Sequence, residues 1–329
     1  MDLVTKASRR HLLTSKFALS KPAIAAFNFF DWLGLFSEDI RRWRSQGFSV
    51  ARIELDAVCD PVPYRIQVSF QDRATGRLIA GYGEARSELL AYEKALSELV
   101  EREAVITNGL PLGIASTNGV ACHRLRFLAK EAARLELLER DAFLRHWLTR
   151  TPLRVVSMPC DHNVVRFKQA FNERGHDLFL CETELGYLPT SIAVVVNRQT
   201  GGFLLGSSAA PGKKNRHAKA IGEAFSILFG RDDWDVNWQK PDFKDHSNYW
   251  YRERVIPSWL IGGSNRLLRK PEAKPQINYI DLRRNLLSVV AAKSPDVFDI
   301  WVGSTPAAVV EKAERFFGIP INEDIHPFP

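Results

Sequence analysis

The chain has 329 residues, 45% apolar and 25% charged, with a formal net charge of +7, which fits one large domain or two modest ones with a sizeable core. The positive balance favours anionic partners such as nucleotide, phosphate or acidic peptide; no basic stripe interleaved with aromatics or nucleic-acid-binding motif is present, so nucleic acid is not expected. No run reaches the ~18 apolar residues of a membrane span, and the four cysteines (Cys59, Cys122, Cys160, Cys181) form no zinc spacing, which predicts a cytoplasmic protein with reduced thiols and no membrane segment.

Residues 1 to about 60 read as irregular, with a short helix near Ser37 to Gln46. Tyr64 to Phe70 and Arg77 to Gly81 read as strands joined by a polar turn at Gln71 to Gly76. A helix is expected from Ser87 to Ile106, with Leu89, Leu96, Leu99 and Val100 as its dry stripe. Asn108 to Gly113 should break it. Ser116 to Gly119 is a second turn, feeding a long helix from about Leu125 to Thr149. Leu153 to Ser157 and Leu178 to Cys181 are candidate strands, and Ser191 to Asn197 with Gly202 to Gly206 reads as a hairpin. Arg216 to Phe229 is helical by pattern, Asp232 to Gln276 reads as a surface insertion, Asp296 to Val302 as a strand, and Thr305 to Phe317 as a last helix. Helices and antiparallel hairpins interleave without strict βαβ alternation, which predicts an α+β fold in one domain with internal pseudo-symmetry.

One string occurs twice. Glu98-Leu99-Val100-Glu101-Arg102-Glu103-Ala104 returns 38 residues later as Glu136-Leu137-Leu138-Glu139-Arg140-Asp141-Ala142. Residues three and four apart share a helix face, so each copy sets two carboxylates and a guanidinium on one side. Two helices facing each other could supply the hard oxygen donors that Mg2+ prefers, with arginines for phosphate. The same groups could instead pair off across the helix interface: Lys94, Arg102, Arg124 and Arg140 are four cations for four glutamates, and Lys94 lies one turn before Glu98. Among single residues, His123 reads as a turn residue more readily than as a nucleophile pair with Cys122, His146 as interfacial or partly buried, and His217, near Lys213, Lys214 and Arg216, as part of a solvated basic run rather than as a holder of an anion at a helix start.

In order and spacing these landmarks resemble the YcaO family, whose members bind ATP and Mg2+ and activate backbone amides of ribosomally made peptides, typically turning Cys, Ser or Thr into thiazolines or oxazolines. Lys94-x-x-x-Glu98-x-x-Glu101-Arg102 is similar to the family's S-x-x-x-E-x-x-E-R, and Thr117-Asn118-Gly119-Val120-Ala121 to its S-N-G-x-A turn. Glu136-x-x-Glu139-Arg140-Asp141-Ala142 with Trp147 resembles the family's E-x-x-E-R-D-A and trailing tryptophan. Gly222-Glu223-Ala224 resembles the start of a third helix motif, and His326-Pro327-Phe328-Pro329 the proline-rich tail of peptide-modifying members. The chain departs from the family at Lys94 (family Ser), at His123-Arg124 (family Gly-Asn), at Leu128 (family Glu), and at Ser226 and Leu228 (family Gln and Arg).

The resemblance implies a YcaO-like domain over 61–329 after an N-terminal segment 1–60, with mixed or antiparallel sheets and packed helices. It implies ATP held by Glu98, Glu101, Arg102, Glu136, Glu139, Arg140 and Glu223, Mg2+ held by Glu98, Glu101, Glu136 and Glu139, and a catalytic tail ending at Pro329. In that chemistry a peptide side chain attacks the preceding carbonyl, ATP phosphorylates the oxyanion, and phosphate leaves as the ring closes. The expected setting is maturation of a bacteriocin-like peptide. The expected partners are the precursor peptide, a separate leader-binding protein (no such domain is evident before residue 60) and a flavin-dependent dehydrogenase; a homodimer is compatible with it. The alternative is an ATPase-dead homologue that binds peptide or scaffolds the modifying complex.

Overall fold

The computed structural model describes residues 34, 36–53, 62, 64–73, 75–114, 116–229, 250–252, 254–262, 273–284, 286–301 and 304–327. Phe328, Pro329 and most of the stretch expected to be an insertion lie outside the described residues. Among the described residues the first helix, α1 (Ser37–Arg44), buries Ile40 and Trp43. It leads into an antiparallel sheet of order β1-β2-β3 (Ser49–Ile53, Tyr64–Gln71, Leu78–Ala85). Helix α2 (Glu88–Ala104) is capped by the Ser87 hydroxyl, which accepts from the Leu90 N–H. Its Ala91, Ala95, Leu96 and Leu99 pack with Trp43, Val68 and Phe70 in one core, each large apolar side chain contributing about 1.5–3 kcal/mol.

Leu89 was expected in that dry stripe but is exposed, because it stands in the first turn of α2. The break expected at Asn108 to Gly113 is also corrected. Val105–Gly109 continues as a π turn and Leu110–Leu112 as a 3₁₀ turn, ending at Gly113 in the left-handed region (φ 74°). Pro111 begins a new turn, where its missing N–H costs little, so the helix changes pitch and the glycine stops it.

Strand β4 (Val120–His123) precedes the 24-residue α3 (Arg126–Thr149). The second sheet has order β5-β6-β7-β8 (Arg154–Val155, His176–Glu182, Ser191–Asn197, Phe203–Ser208), with α4 (His162–Glu173) and α5 (Lys213–Phe229) beside it. The third has order β4-β10-β9, with β9 (Asn278–Arg284) and β10 (Ser288–Lys293); α6 (Ala307–Phe317) is the last helix. Among the described residues every ladder is antiparallel, apart from one isolated parallel bridge between Leu153 and Ile261, and the α+β class holds. Asp296 to Trp301, expected as a strand, is turn and irregular chain. Its anchor is Asp141, whose carboxylate accepts from the Phe298 N–H (2.7 Å) while Val297 and Phe298 sink into apolar clusters.

The pseudo-symmetry takes a form the 38-residue repeat does not describe. A shift of 125 positions carries α2 (Glu88–Ala104) onto α5 (Lys213–Phe229) and β3 onto the line of β8. It preserves the ladder register, since Tyr64 pairs with Ala85 and Ser191 with Ser208. In both units a glycine at the matching position lets the helix press on the strand. A Cβ on Gly81 would lie 2.2 Å from the Ala95 carbonyl oxygen, and one on Gly206 2.2 Å from that of Ala220. The approach brings the next backbone N–H within reach of a helix carboxylate in both units: Tyr82 to Glu98 and Ser207 to Glu223, both 2.5 Å.

At the end of α3, His146 is buried, not interfacial. Its Nδ1 faces the Thr151 and Pro152 carbonyls (3.0 and 3.2 Å), and its Nε2 accepts from the Glu184 N–H (2.9 Å). Burial lowers its pKa to about 4. The unfolded chain therefore binds the proton first, and the stability this residue supplies falls as pH drops from about 6.5 towards 4. The expected result is a His146→Asn variant whose stability deficit against the wild type shrinks by about 2 kcal/mol between pH 7 and pH 5, read from urea unfolding. A deficit independent of pH would show that the ring titrates normally.

Candidate active site

Three helices bring the expected acids together. On α2, Lys94, Glu98 and Glu101 recur at i, i+4 and i+7; on α5, Lys219, Glu223 and Ser226 occupy the positions 125 later; α3 contributes Glu136, Glu139 and Arg140. Glu101 feels the charges of Glu136 and Glu98, and Glu136 those of Glu139, Glu223 and Glu98. Glu98, Glu101, Glu136, Glu139 and Glu223 therefore form one electrostatic cluster.

The cations divide unevenly. Arg102 pairs with Glu98 (2.6 Å) and lies over the Tyr82 ring. Arg140 holds Glu223 (2.9 Å), with Glu139 at 3.8 Å, and donates to the Ser207 hydroxyl (2.7 Å). Glu139 accepts from that hydroxyl (2.5 Å) and from the Ala209 N–H (2.7 Å). Glu101 accepts from the Cys122 N–H (2.6 Å). Glu136 has no hydrogen-bond partner among the described residues.

The expected neutralisation by Lys94 and Arg124 does not occur. The Lys94 ammonium donates to the Glu84 carbonyl (2.9 Å), and burial and Lys219 both lower its pKa against the pull of Glu84. Glu84 is itself held by Arg65 (2.8 Å) and the Ser226 hydroxyl. Arg124 is exposed and makes no ion pair among the described residues. Leu128 is exposed and Leu228 is buried in the core under α5.

The result is an excess of acid. Burial and Glu136 push the Glu101 carboxyl well above its ordinary range. Burial raises Glu136 to about 8, with Arg140 opposing and Glu139, Glu223 and Glu98 adding repulsion. Burial likewise raises Glu139, with Arg140 as the main counterweight. Burial works against the Arg140 charge, but Glu223, Glu139 and Glu136 outweigh it and raise its pKa. Crowded carboxylates left short of cations are what a divalent ion relieves. Among the described residues no three acid, histidine or cysteine side chains already stand at metal-ligating geometry. The donor set thus fits Mg2+ in its chemistry, with nucleotide phosphates completing the shell.

The sixth position of each repeated string points elsewhere. Glu103 binds Arg42 (2.6 Å) and the Trp43 indole N–H (3.2 Å). Asp141 binds Arg145 (2.7 Å). Ser207 and Tyr82 escaped the reading of motifs, although the shared Lys-Ala-aliphatic-x-Glu of α2 and α5 (Lys94 to Glu98, Lys219 to Glu223) marks their partner helices. His123 ends β4, and His217 is buried against Glu182 (3.1 Å), not part of a solvated run. Pro329 lies outside the described residues, but the chain before it is strapped down. The Asn322 N–H donates to Leu148 O (2.6 Å), the Trp147 and Trp250 indoles to Asp324 O (3.0 Å) and Ile325 O (2.7 Å), and His326 Nε2 meets Trp301 O (2.9 Å). No helix among the described residues is long and apolar enough to cross a membrane.

The family profile described as YcaO cyclodehydratase, ATP- and Mg2+-binding, matches residues 107–302, and the chain belongs to the YcaO family. Similar solved structures include a heterocyclase in complex with substrate and cofactor (TM-score 0.63, 14% identity, 88% of this chain and 57% of that one). Others are the YcaO protein of Methanopyrus kandleri bound with AMPPCP and Mg2+ (0.54, 16%, 79% and 89%) and the E. coli microcin synthetase McbBCD complex (0.50, 13%, 76% and 88%). At these identities the likeness establishes the fold. The chain spans little more than half the length of the heterocyclase. No curated protein sequence gives a significant match.

Proposed function

We propose that the protein is an ATP- and Mg2+-dependent enzyme that activates backbone amides of a ribosomally made peptide and cyclises Cys, Ser or Thr to an azoline, in the maturation of a bacteriocin-like product. The observation that carries this reading is the convergence of Glu101 and Glu136, with Glu98, Glu139 and Glu223, into one acid cluster that Arg102 and Arg140 only partly offset. In it Glu98, Glu101, Glu136 and Glu139 hold Mg2+, which supplies charge neutralisation at the nucleotide phosphates, while Arg102, Arg140 and Glu223 orient the nucleotide. Phosphoryl transfer needs chiefly positioning and charge stabilisation, which a carboxylate and arginine cluster supplies. By the family resemblance, the proline-rich tail ending at Pro329 would reach the same acid cluster. The domain is taken as 61–329.

The neighbouring structures were solved with a substrate, a nucleotide analogue or partner subunits, which supports a precursor peptide and a leader-binding partner here. A flavin-dependent dehydrogenase acting afterwards, a homodimer and a cytoplasmic location complete the proposal. Lys94 facing Lys219, with Leu128 and Leu228 unable to ligate, favours a second reading: an ATPase-dead peptide-binding or scaffold subunit. Calorimetric titration of the pure protein with ATP separates the two. Mg2+-dependent binding that is lost in Glu98→Ala and Glu139→Ala supports the enzyme. No binding at millimolar nucleotide sinks it and leaves the scaffold.

A further inference from the structure

Among the described residues β3 and β8 each stand last in their sheet, so on one side their alternate N–H groups face away from the ladder. Cluster carboxylates take these groups. The Tyr82 N–H donates to Glu98 and the Ser207 N–H to Glu223 (both 2.5 Å), and two residues further on the Ala209 N–H donates to Glu139 (2.7 Å). The backbone thus does the same work at Tyr82 and Ser207, which are 125 positions apart. Their side chains differ. Tyr82 offers Arg102 a ring face, 5.6 Å away, and the arginine side chain stays 38% exposed. Ser207 is buried, its hydroxyl meets three charged groups, and Arg140 beside it is only 13% exposed.

A hydroxyl carries one proton and two lone pairs, an ionised carboxylate only accepts and a guanidinium only donates. The roles of the Ser207 hydroxyl follow. It accepts from Arg140 Nη1 (2.7 Å) and gives its proton to Glu139 Oε1 (2.5 Å), with Glu223 Oε2 further off at 3.3 Å. Glu139 is therefore held at both oxygens, by Ser207 and by Ala209, and each oxygen keeps a second lone pair for a cation. Arg140 spans two fixed acceptors, Ser207 and Glu223 (2.9 Å). Gly206 fixes the place of the hydroxyl itself, because β8 lies too close to α5 there for any Cβ. A carboxylate and a guanidinium immobilised in advance lose less freedom when a ligand arrives, which favours tight binding.

We propose that Ser207 is a positioning residue whose hydroxyl sets Glu139 for the metal and Arg140 for the nucleotide phosphates from a single point, and so couples the binding of the two. The inference rests on the nucleotide-binding reading above. The test titrates ATP into the full chain with and without Mg2+ and takes the ratio of the two affinities, which measures that coupling. Ser207→Ala removes the hydroxyl and keeps the N–H that holds Glu223. The ratio is expected to fall roughly ten- to hundred-fold, the worth of hydrogen bonds to charged groups. Ser207→Thr keeps the hydroxyl on a residue type that suits a strand and should stay close to the wild-type ratio. Ser208→Ala is the control. That hydroxyl is also buried and accepts from the Ala210 N–H (3.1 Å), but on the opposite face of the strand, so its loss costs stability at most and leaves the ratio unchanged. A wild-type ratio in Ser207→Ala, an equal fall in Ser208→Ala, or a fall that Ser207→Thr shares in full overturns the inference and leaves the nucleotide site standing. A wild type without Mg2+-dependent binding overturns the catalytic reading and this inference together.

Discussion

Glu136→Gln is expected to make the nucleotide-free protein more stable while silencing it. The wild-type carboxyl has no hydrogen-bond partner among the described residues, and burial with Glu139, Glu223 and Glu98 holds it up to about 8. At neutral pH folding must protonate this carboxyl, and a neutral amide avoids that cost, so the variant should gain about 1–2 kcal/mol, or a few degrees in Tm. Mg2+ with a nucleotide analogue should raise the melting temperature of the wild type and leave the variant unmoved. Nucleotide hydrolysis should drop by about 10²-fold or more, as for removal of a group that stabilises developing charge. A variant that melts lower than the wild type and still responds to Mg2+ would show that Glu136 has a structural partner and the metal another home.

The second large effect is purely structural. Asp141 and Arg145 are both fully buried and 2.7 Å apart, and the Arg145 guanidinium lies against the rings of Tyr187, Phe298 and Phe316. Asp141→Ala leaves that guanidinium uncompensated in an aromatic cage and frees the Phe298 N–H. Loss of one partner of such a pair costs about 3–5 kcal/mol. Denaturant unfolding should show the loss, and an Asp141→Leu, Arg145→Met double variant should recover most of it. Mg-ATP affinity of the folded fraction should stay at the wild-type value, because the pair faces away from Glu136. A loss below 1 kcal/mol would mean that water reaches the guanidinium.

These two residues also mark how far the chain could be read from its residues. The helices were legible because their apolar periodicity is long: α2 and α3 emerged within a few residues of their expected ends, and their acids do converge. The repeated string was read as one unit, but its sixth acid serves the scaffold in both copies, through Glu103 to Trp43 and Asp141 to Arg145. Spacing on a helix fixes which residues share a face; it does not say which face meets which neighbour. Strands β9 and β10 escaped notice for a related reason. Asn278–Arg284 carries charge on the side that Arg126 reaches through Asp281, and Ser288–Lys293 is a short apolar run that periodicity alone cannot distinguish from helix. The balance of four cations against four glutamates failed because Lys94 could satisfy a strand carbonyl more cheaply than it could join a crowded cluster.

The 125-position correspondence sets Glu98 of the first module against Glu223 of the second and Glu101 against Ser226, with α3 and its Glu136 and Glu139 between them. The proposed Mg2+ ligands come from two bodies, Glu98 and Glu101 from the first module and Glu136 and Glu139 from α3, and neither brings more than two carboxylates. Ion affinity is therefore a property of their docking, and loosening of the seam between modules should abolish it before any helix or sheet is lost. A molecule with both halves formed but parted would look native by circular dichroism and be inert.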